Sequence, residues 1–153
     1  MNTSFSQGYG CYAAYLSTKN ERQAAWKVVK QGLEVDPLSL PLHRVGAFPE
    51  WVESREESLW HARRIVEIAP DSPLGYARLG VELWRNHGRA DEMVRLLSKA
   101  ARLDPRNPQY PWLNGFAYLA LGDYDMALAH FRLAEMIAYT DMDGERGRAT
   151  GEA

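Results

Sequence analysis

The chain has 153 residues, of which 46% are hydrophobic and 11% aromatic, enough to build the core of one folded domain. Its formal net charge is −2 and its charges are interspersed, so the composition shows neither a nucleic-acid footprint nor a surface that would attract a membrane. A single cysteine, Cys11, excludes an internal disulfide. The sequence also lacks a signal-peptide pattern and an apolar run of about 18 residues, which favours a soluble, cytoplasmic protein with no membrane insertion.

An internal repeat of four units runs through the chain. Each unit contains a triplet of mostly small and apolar residues at i, i+4 and i+7, a spacing that places three side chains on one face of an α-helix. The triplets are Ala25/Val29/Gly32, Ser58/Ala62/Ile65, Met93/Leu97/Ala100 and Ala127/Phe131/Ala134. They begin 33, 35 and 34 residues apart, which indicates a repeated helix–turn–helix hairpin. The predicted units cover residues 4–37, 38–70, 71–105 and 106–139.

The first unit predicts two regular helices. A turn is expected at Lys19-Asn20, and the second helix runs over residues 21–35. It ends there because Asp36 precedes a proline, which disfavours the α conformation in the residue before it. Cys11, within an aromatic and small-residue face, is interpreted as a packing residue.

The second unit departs from this pattern in its first half. Pro41, Gly46 and Pro49 leave room for only a short helix over residues 42–47. Trp51 is expected to pack where the missing helical turn would lie. The second helix is clearly indicated, since Ser54 and Glu57 have the spacing of a capping box.

The third and fourth units begin alike, with Ser72 and Asn107 as expected N-caps, each followed by a proline. The turn of the third unit is predicted over residues 85–89. Asp123 is expected to cap the last helix, and the glycines at positions 80 and 115 allow close helix approach. Residues 140–153 have no apolar periodicity and predict a polar, flexible C-terminal tail.

The fourth unit closely resembles a tetratricopeptide repeat (TPR). The residues that carry the resemblance are Gly115, Tyr118, Gly122, Tyr124, Ala127, Phe131 and Ala134. The resemblance implies an all-α fold, a right-handed α-solenoid of about four TPR-like hairpins with an irregular second one. It also implies a non-catalytic protein-interaction module, or adaptor, and gives Tyr118, Tyr124 and Phe131 packing roles.

In the TPR family the first helices of the hairpins line a concave groove that binds a protein or peptide partner. Carried over position by position, the groove residues are Leu74, Ala77, Val81, Trp84, Arg85, Gln109, Trp112, Phe116 and Leu119. The first unit supplies only small or polar residues, namely Gln7, Gly10, Ala14 and Ser17. Two interpretations of the aromatic residues remain open at this point: an exposed binding patch, or burial against the irregular second hairpin.

This function has two specialised versions, and a structural role is an alternative of a different class. A carboxylate clamp for chaperone tails is disfavoured, because Gly10 and Ala14 replace the Lys and Asn that such a clamp uses. The run from Pro108 to Ala138 is similar to the last repeat of small TPR chaperones of bacterial type III secretion. A structural role as a self-associating subunit, and thus a homo-oligomer, is favoured by the many aromatics and the thinly capped C-terminal side.

The sequence predicts no catalytic residue, cofactor or metal site. The histidines at positions 43, 61, 87 and 130 lack ligand spacing and are interpreted as surface or boundary residues. The acidic run over residues 141–145 lacks the later ligands of a calcium loop and is interpreted as a solvated turn. No nucleophile–base motif or phosphate loop is present, so the chain is not expected to be an enzyme.

Overall fold

The computed structural model describes residues 3–48 and 54–149, and Trp51 therefore lies outside the described residues. The helices in these ranges are α1 (Thr3–Thr18), α2 (Arg22–Val35), α3 (Leu40–Gly46), α4 (Arg55–Ile68), α5 (Pro73–His87), α6 (Ala90–Leu103), α7 (Gln109–Leu121) and α8 (Tyr124–Ala149). They form four consecutive hairpins, and the described ranges contain no strand. The predicted all-α solenoid of helical hairpins is confirmed. No helix among the described residues is long and apolar enough to span a membrane.

Each helix packs against the next one along the chain, and α1 also packs against α3. Among the described residues the core is divided into three apolar clusters, one shared by α1, α2 and α3, one by α3, α4 and α5, and one by α5, α6 and α7. The repeat triplets lie at the centre of the hairpins, and all their residues are buried except Phe131, which is partly buried. The residues that repeat in the sequence are therefore those that are buried in each hairpin.

Side-chain caps set several helix boundaries where the sequence predicts them. Ser54 Oγ accepts a hydrogen bond from the Glu57 backbone N–H at 3.2 Å, and Asp123 Oδ1 accepts one from the Met126 N–H at 3.1 Å. The N-cap of α7 is Pro108, one residue after the predicted Asn107, although Asn107 Oδ1 accepts the Gln109 N–H at 3.0 Å. Ser72 is the N-cap of α5 as predicted but makes no side-chain cap hydrogen bond.

Helix α3 covers Leu40–Gly46 instead of the predicted residues 42–47, and two other helices end at least three residues beyond the prediction. Helix α5 continues through His87 and ends at Gly88, whose φ of 67° places it in the left-handed region that glycine adopts readily. The turn of the third hairpin is therefore shorter than residues 85–89. Helix α8 continues past the predicted boundary at residue 139 to Ala149. The flexibility of residues 140–153 stays a prediction.

Two residues expected to pack are exposed. Cys11 lies on the exposed side of α1, and Tyr124, at the start of α8, is 71% exposed. The packing interpretation of both residues is wrong. The counterpart of Cys11 in the fourth unit, Leu113, is half-buried in the cluster with α6, and the described residues place no helix at that position beside α1. Tyr124 stands at a repeat position that is exposed in α2 and α4 as well, where Arg22 and Arg55 occupy it.

The second hairpin is stabilised by a feature that the sequence pattern does not indicate, a buried pair of histidines. His43 on α3 and His61 on α4 are almost completely buried, and their Nδ1 atoms lie 2.9 Å apart. The rings of Trp26 and Trp60 pack against this pair at centroid distances of 4.8 to 5.6 Å. The interpretation of these two histidines as surface or boundary residues is wrong.

The protonation of the pair follows from its partners. His43 Nε2 lies 3.0 Å from the Pro37 carbonyl oxygen, which can only accept, so His43 carries its proton on Nε2. Its Nδ1 therefore accepts the hydrogen bond that His61 Nδ1–H donates. Burial, and after it the neighbouring imidazole of His43, lower the pKa of His61 from 6.5 to about 3. Burial also lowers the pKa of His43, against the opposing effect of its hydrogen bond to the Pro37 carbonyl.

We expect acidification to destabilise the protein through this pair. Both imidazoles are neutral in the folded chain, whereas the unfolded chain binds protons below pH 6.5, so the stabilisation is complete above that pH and is lost as the pH falls. His61 alone should lower the free energy of unfolding by about 2 kcal/mol between pH 7 and pH 5. Urea unfolding followed by circular dichroism at several pH values measures this.

The exposed His87 provides the matched control. A His87→Gln variant should keep the pH dependence, and a His61→Asn variant should lose most of it. A free energy of unfolding that stays constant from pH 7 to pH 5 would contradict the assignment.

Candidate functional site

Three apolar side chains of α7 form an exposed row, called here the α7 stripe. Trp112, Phe116 and Leu119 are spaced at i, i+4 and i+7 and so share one helix face. They are 48%, 38% and 41% exposed. Large apolar side chains on the surface of a folded protein that lie together in this way commonly mark a binding site.

The aromatic rings of the α7 stripe are held by contact with α8. The ring of Phe116 lies between Trp112, at a centroid distance of 4.6 Å, and Phe131 of α8, at 5.2 Å. Both contacts are close to edge-to-face, with interplanar angles of 69° and 78°, a favourable arrangement for aromatic quadrupoles. Gly115 makes room for the Phe131 ring, because a Cβ atom there would lie 2.6 Å from its Cζ atom. The stripe is therefore presented by a fixed surface.

A cavity of about 650 Å³ opens beside the stripe between α7 and α8. Its lining is mostly apolar, with one amide and one carboxylate at its edge. The lining residues are Pro108, Gln109, Trp112, Phe131, Ala134, Glu135 and Ala138. Gln109 and Trp112 thus belong to both the predicted groove and the cavity, whereas the contribution of α8 was not predicted from the sequence.

The predicted groove residues of the third unit are placed differently from those of the fourth. Ala77, Val81 and Trp84 pack in the cluster shared by α5, α6 and α7, where Ala77 is buried and the other two are half-buried. Leu74 is half-buried as well. Arg85 is exposed, and its Nη1 lies 3.8 Å from Oε1 of the buried Glu82. Exposed apolar surface at the predicted positions is therefore concentrated on α7.

In the first unit the equivalent position to Trp112 is closed by the second hairpin. Gly10 is buried, and a Cβ atom at this position would lie 2.7 Å from the Pro41 Cβ of α3. A long side chain cannot be accommodated there without moving α3. This contact gives a structural reason for the glycine that replaces the polar residue of a carboxylate clamp.

The three side chains of the α7 stripe can make apolar contacts but carry no nucleophile, acid or base. None of its three residues titrates, and the described part of the chain contains no group of three or more His, Cys, Asp or Glu side chains that could hold a metal ion. The nearest perturbed groups have packing explanations. Burial, and after it the Asp104 carboxylate, raise the pKa of Tyr110, and burial lowers the pKa of His130, which stacks on Tyr118.

Solved structures of MamA proteins share this arrangement of helices. MamA of Desulfovibrio magneticus RS-1, from residue 41 to its end, has a TM-score of 0.77 at 20% identity, covering 88% of this chain and 76% of that one. A crystal structure of MamA has a TM-score of 0.78 at 15% identity over 90% and 81% of the two chains, and MamA MSR-1 has 0.68 at 22% over 84% and 74%. No family model and no curated protein matches the chain. At these identities the likeness concerns the fold, and it confirms the resemblance to TPR proteins at that level.

Replacing Gly115 by alanine should destabilise the last hairpin, because the added methyl group overlaps the Phe131 ring. We expect a loss of about 1–3 kcal/mol in the free energy of unfolding, the usual cost of overpacking. Adding Phe131→Leu should recover part of this loss, and a double-mutant cycle in urea unfolding measures the coupling.

Gly8 of α1 is the matched control, since nothing lies within 4 Å of a Cβ atom added there. Gly8→Ala should stabilise the protein by about 0.5–1 kcal/mol, because alanine favours the helix over glycine. Equal effects at positions 8 and 115 would contradict the close contact between Gly115 and Phe131.

Proposed function

We propose that this chain is a non-catalytic protein-interaction module that binds an apolar segment of a partner protein along the α7 stripe. The observation that carries the proposal is the exposure of Trp112, Phe116 and Leu119 on one face of a rigidly held helix. The likeness of the fold to TPR proteins, in which the first helix of each hairpin lines the binding groove, supports the same face.

The energetics favour a ligand at this face. Full burial of a large apolar side chain that starts exposed contributes about 1.5–3 kcal/mol. The three residues of the stripe start 38–48% exposed, so their complete burial contributes about 2–4 kcal/mol in total, which can anchor a partner segment. Because the rings already contact each other and Phe131, little side-chain entropy is lost on binding. Tryptophan is also the residue type most often found at the energetic centre of interfaces.

The stripe also suggests the form of the partner segment. Its three residues span two helical turns, so a partner helix with apolar side chains at i, i+3 and i+7 would match their spacing, as in helix-in-groove recognition. The polar side chains at the two ends of the predicted groove are Gln109 and Arg85, both exposed. They would contact the polar flanks of the segment.

Selection of peptides from a random library tests the proposal even though the partner is unidentified. Peptides enriched on the wild-type protein should carry spaced aromatic or aliphatic residues. Fluorescence anisotropy with the enriched peptides should show at least a tenfold loss of affinity in a Trp112→Ala, Leu119→Ala double variant, about 1.4 kcal/mol or more. Trp84 is kept in this variant, because it packs in the core cluster and its removal would confuse binding with stability.

Two control variants locate the binding surface. Leu38→Ala removes a leucine that is exposed in the loop between α2 and α3, and Leu103→Ala removes one that is exposed at the end of α6. Both should bind the selected peptides like the wild type. Unchanged affinity in the Trp112, Leu119 variant, or an equal loss in the control variants, would overturn the proposal.

A further inference from the structure

The outer side of α8 presents a row of uncovered apolar residues. Tyr124 and Leu128 are 71% and 49% exposed, and Phe131 is only partly buried. Their spacing at i, i+4 and i+7 places them on one face, which continues into the cavity between α7 and α8. We call these three residues and the cavity the α8 end surface.

The repeat shows what covers such a surface elsewhere in the chain. Aligned on the first residue of each triplet, Val94 and Leu97 of α6 are the counterparts of Leu128 and Phe131. Both belong to the core cluster in which α7 packs on α5 and α6. Leu128 and Phe131 therefore stand where the first helix of a further hairpin would pack. Tyr124 lies outside this position, since its counterparts in α2 and α4, Arg22 and Arg55, are exposed.

In the third unit, the residues that correspond to the cavity lining are covered by other side chains. Ala77, Leu97 and Ala100 are the counterparts of the cavity-lining residues Trp112, Phe131 and Ala134. They belong to the same core cluster as Tyr110, which is 4% exposed. The open cavity of the last hairpin is thus the counterpart of the space that a tyrosine from the next helix occupies.

The helix at the opposite end of the chain also has an apolar side that is uncovered. Helix α1 contains no charged residue along its 16 residues, although one side of it faces solvent. Cys11, Tyr12 and Tyr15 lie on that side, and the two tyrosines are 54% and 55% exposed. We call these three residues the α1 end surface.

The α1 end surface corresponds to the side by which α7 packs on its predecessor. In the repeat register, aligned on Ala25 and Ala127, its three residues are the counterparts of Leu113, Asn114 and Ala117. Asn114 and Ala117 are buried, and Leu113 is half-buried in the cluster with α6. An exposed helix without charges, on the side that its counterpart buries, is expected to be covered in the assembled protein.

We propose that a second copy of this chain covers the α8 end surface with its α1 end surface, so that copies stack head to tail. The contact continues the solenoid across two chains, with α1 of one copy in the place that α7 occupies on α5 and α6. Gly8 stands at the counterpart of Tyr110, which leaves the cavity to the ring of Tyr12, one helical turn along. The occupant is a second copy because the chain itself carries both complementary halves of the contact.

A contact of this kind is heterologous, because each copy uses two different surfaces. It differs in consequence from a two-fold dimer, in which the same surface meets itself and the assembly stops at two copies. Head-to-tail stacking leaves one free end of each kind and permits further growth. Blocking one end of the chain at a time therefore distinguishes head-to-tail stacking from a two-fold dimer.

The test uses two variants of the full chain, each blocked at one end. Tyr12→Asp with Tyr15→Asp places charges on the α1 end surface, and Tyr124→Asp with Leu128→Asp places them on the α8 end surface. All four side chains are exposed, so the helix content by circular dichroism should match the wild type. Sedimentation velocity should show a wild-type mass that rises with concentration above the 17.4 kDa monomer, and a monomer for each variant alone.

Mixing the two variants gives the decisive result. Each variant retains one intact surface, so the equimolar mixture should form a one-to-one dimer and nothing larger. A Leu38→Asp control, altered at an exposed site in the loop between α2 and α3, should associate like the wild type. A wild type that stays monomeric at all concentrations, a blocked variant that still associates alone, or a mixture that stays monomeric would overturn the proposal.

The inference does not rest on the partner binding proposed for the α7 stripe, although Trp112 belongs to both surfaces. The variants at positions 12, 15, 124 and 128 leave Trp112, Phe116 and Leu119 in place. Loss of self-association with intact peptide binding in these variants would therefore assign the self-association to the two end surfaces.

Discussion

The structure depends on one constraint, that a helical hairpin has more apolar surface than its own two helices can bury. Each hairpin covers part of this surface with its second helix and the rest with the neighbouring hairpin, which is why the core consists of three clusters that each span consecutive helices. Stability in such a solenoid is carried by nearest neighbours. The same constraint leaves the two terminal hairpins with apolar sides that nothing in the described chain covers.

The sequence predicts well what is decided within one hairpin. The triplet pattern is buried at almost every position, and the caps at Ser54 and Asp123 form as their residue types require. Prediction from the sequence fails where contacts with neighbouring helices determine whether a side chain is buried. The polar pair His43 and His61 is buried because the short α3 brings the two rings together with tryptophans on either side, and a sequence read one helix at a time does not show this pairing.

The sequence predicts which positions belong to the candidate site but not which of their side chains are exposed. Trp84 and Leu119 occupy equivalent positions of successive units, yet Trp84 packs in the cluster with α7, whereas Leu119 is exposed in the last hairpin. Residue type and repeat register are evident from the sequence at these positions. Whether a side chain is buried depends on the presence of a following hairpin, which the pattern within a unit does not state.

Trp112 contributes to both the α7 stripe and the α8 end surface. It is the first residue of the α7 stripe and also lines the cavity of the α8 end surface, in edge-to-face contact with Phe116. A ligand on the stripe and a helix on the end surface would thus both contact this ring. If the ring adopts different positions in the two complexes, occupation of one surface changes the affinity of the other, and thermodynamic linkage requires the effect to be equal in both directions. The exposed end of the solenoid would then tie assembly to partner binding through a single side chain.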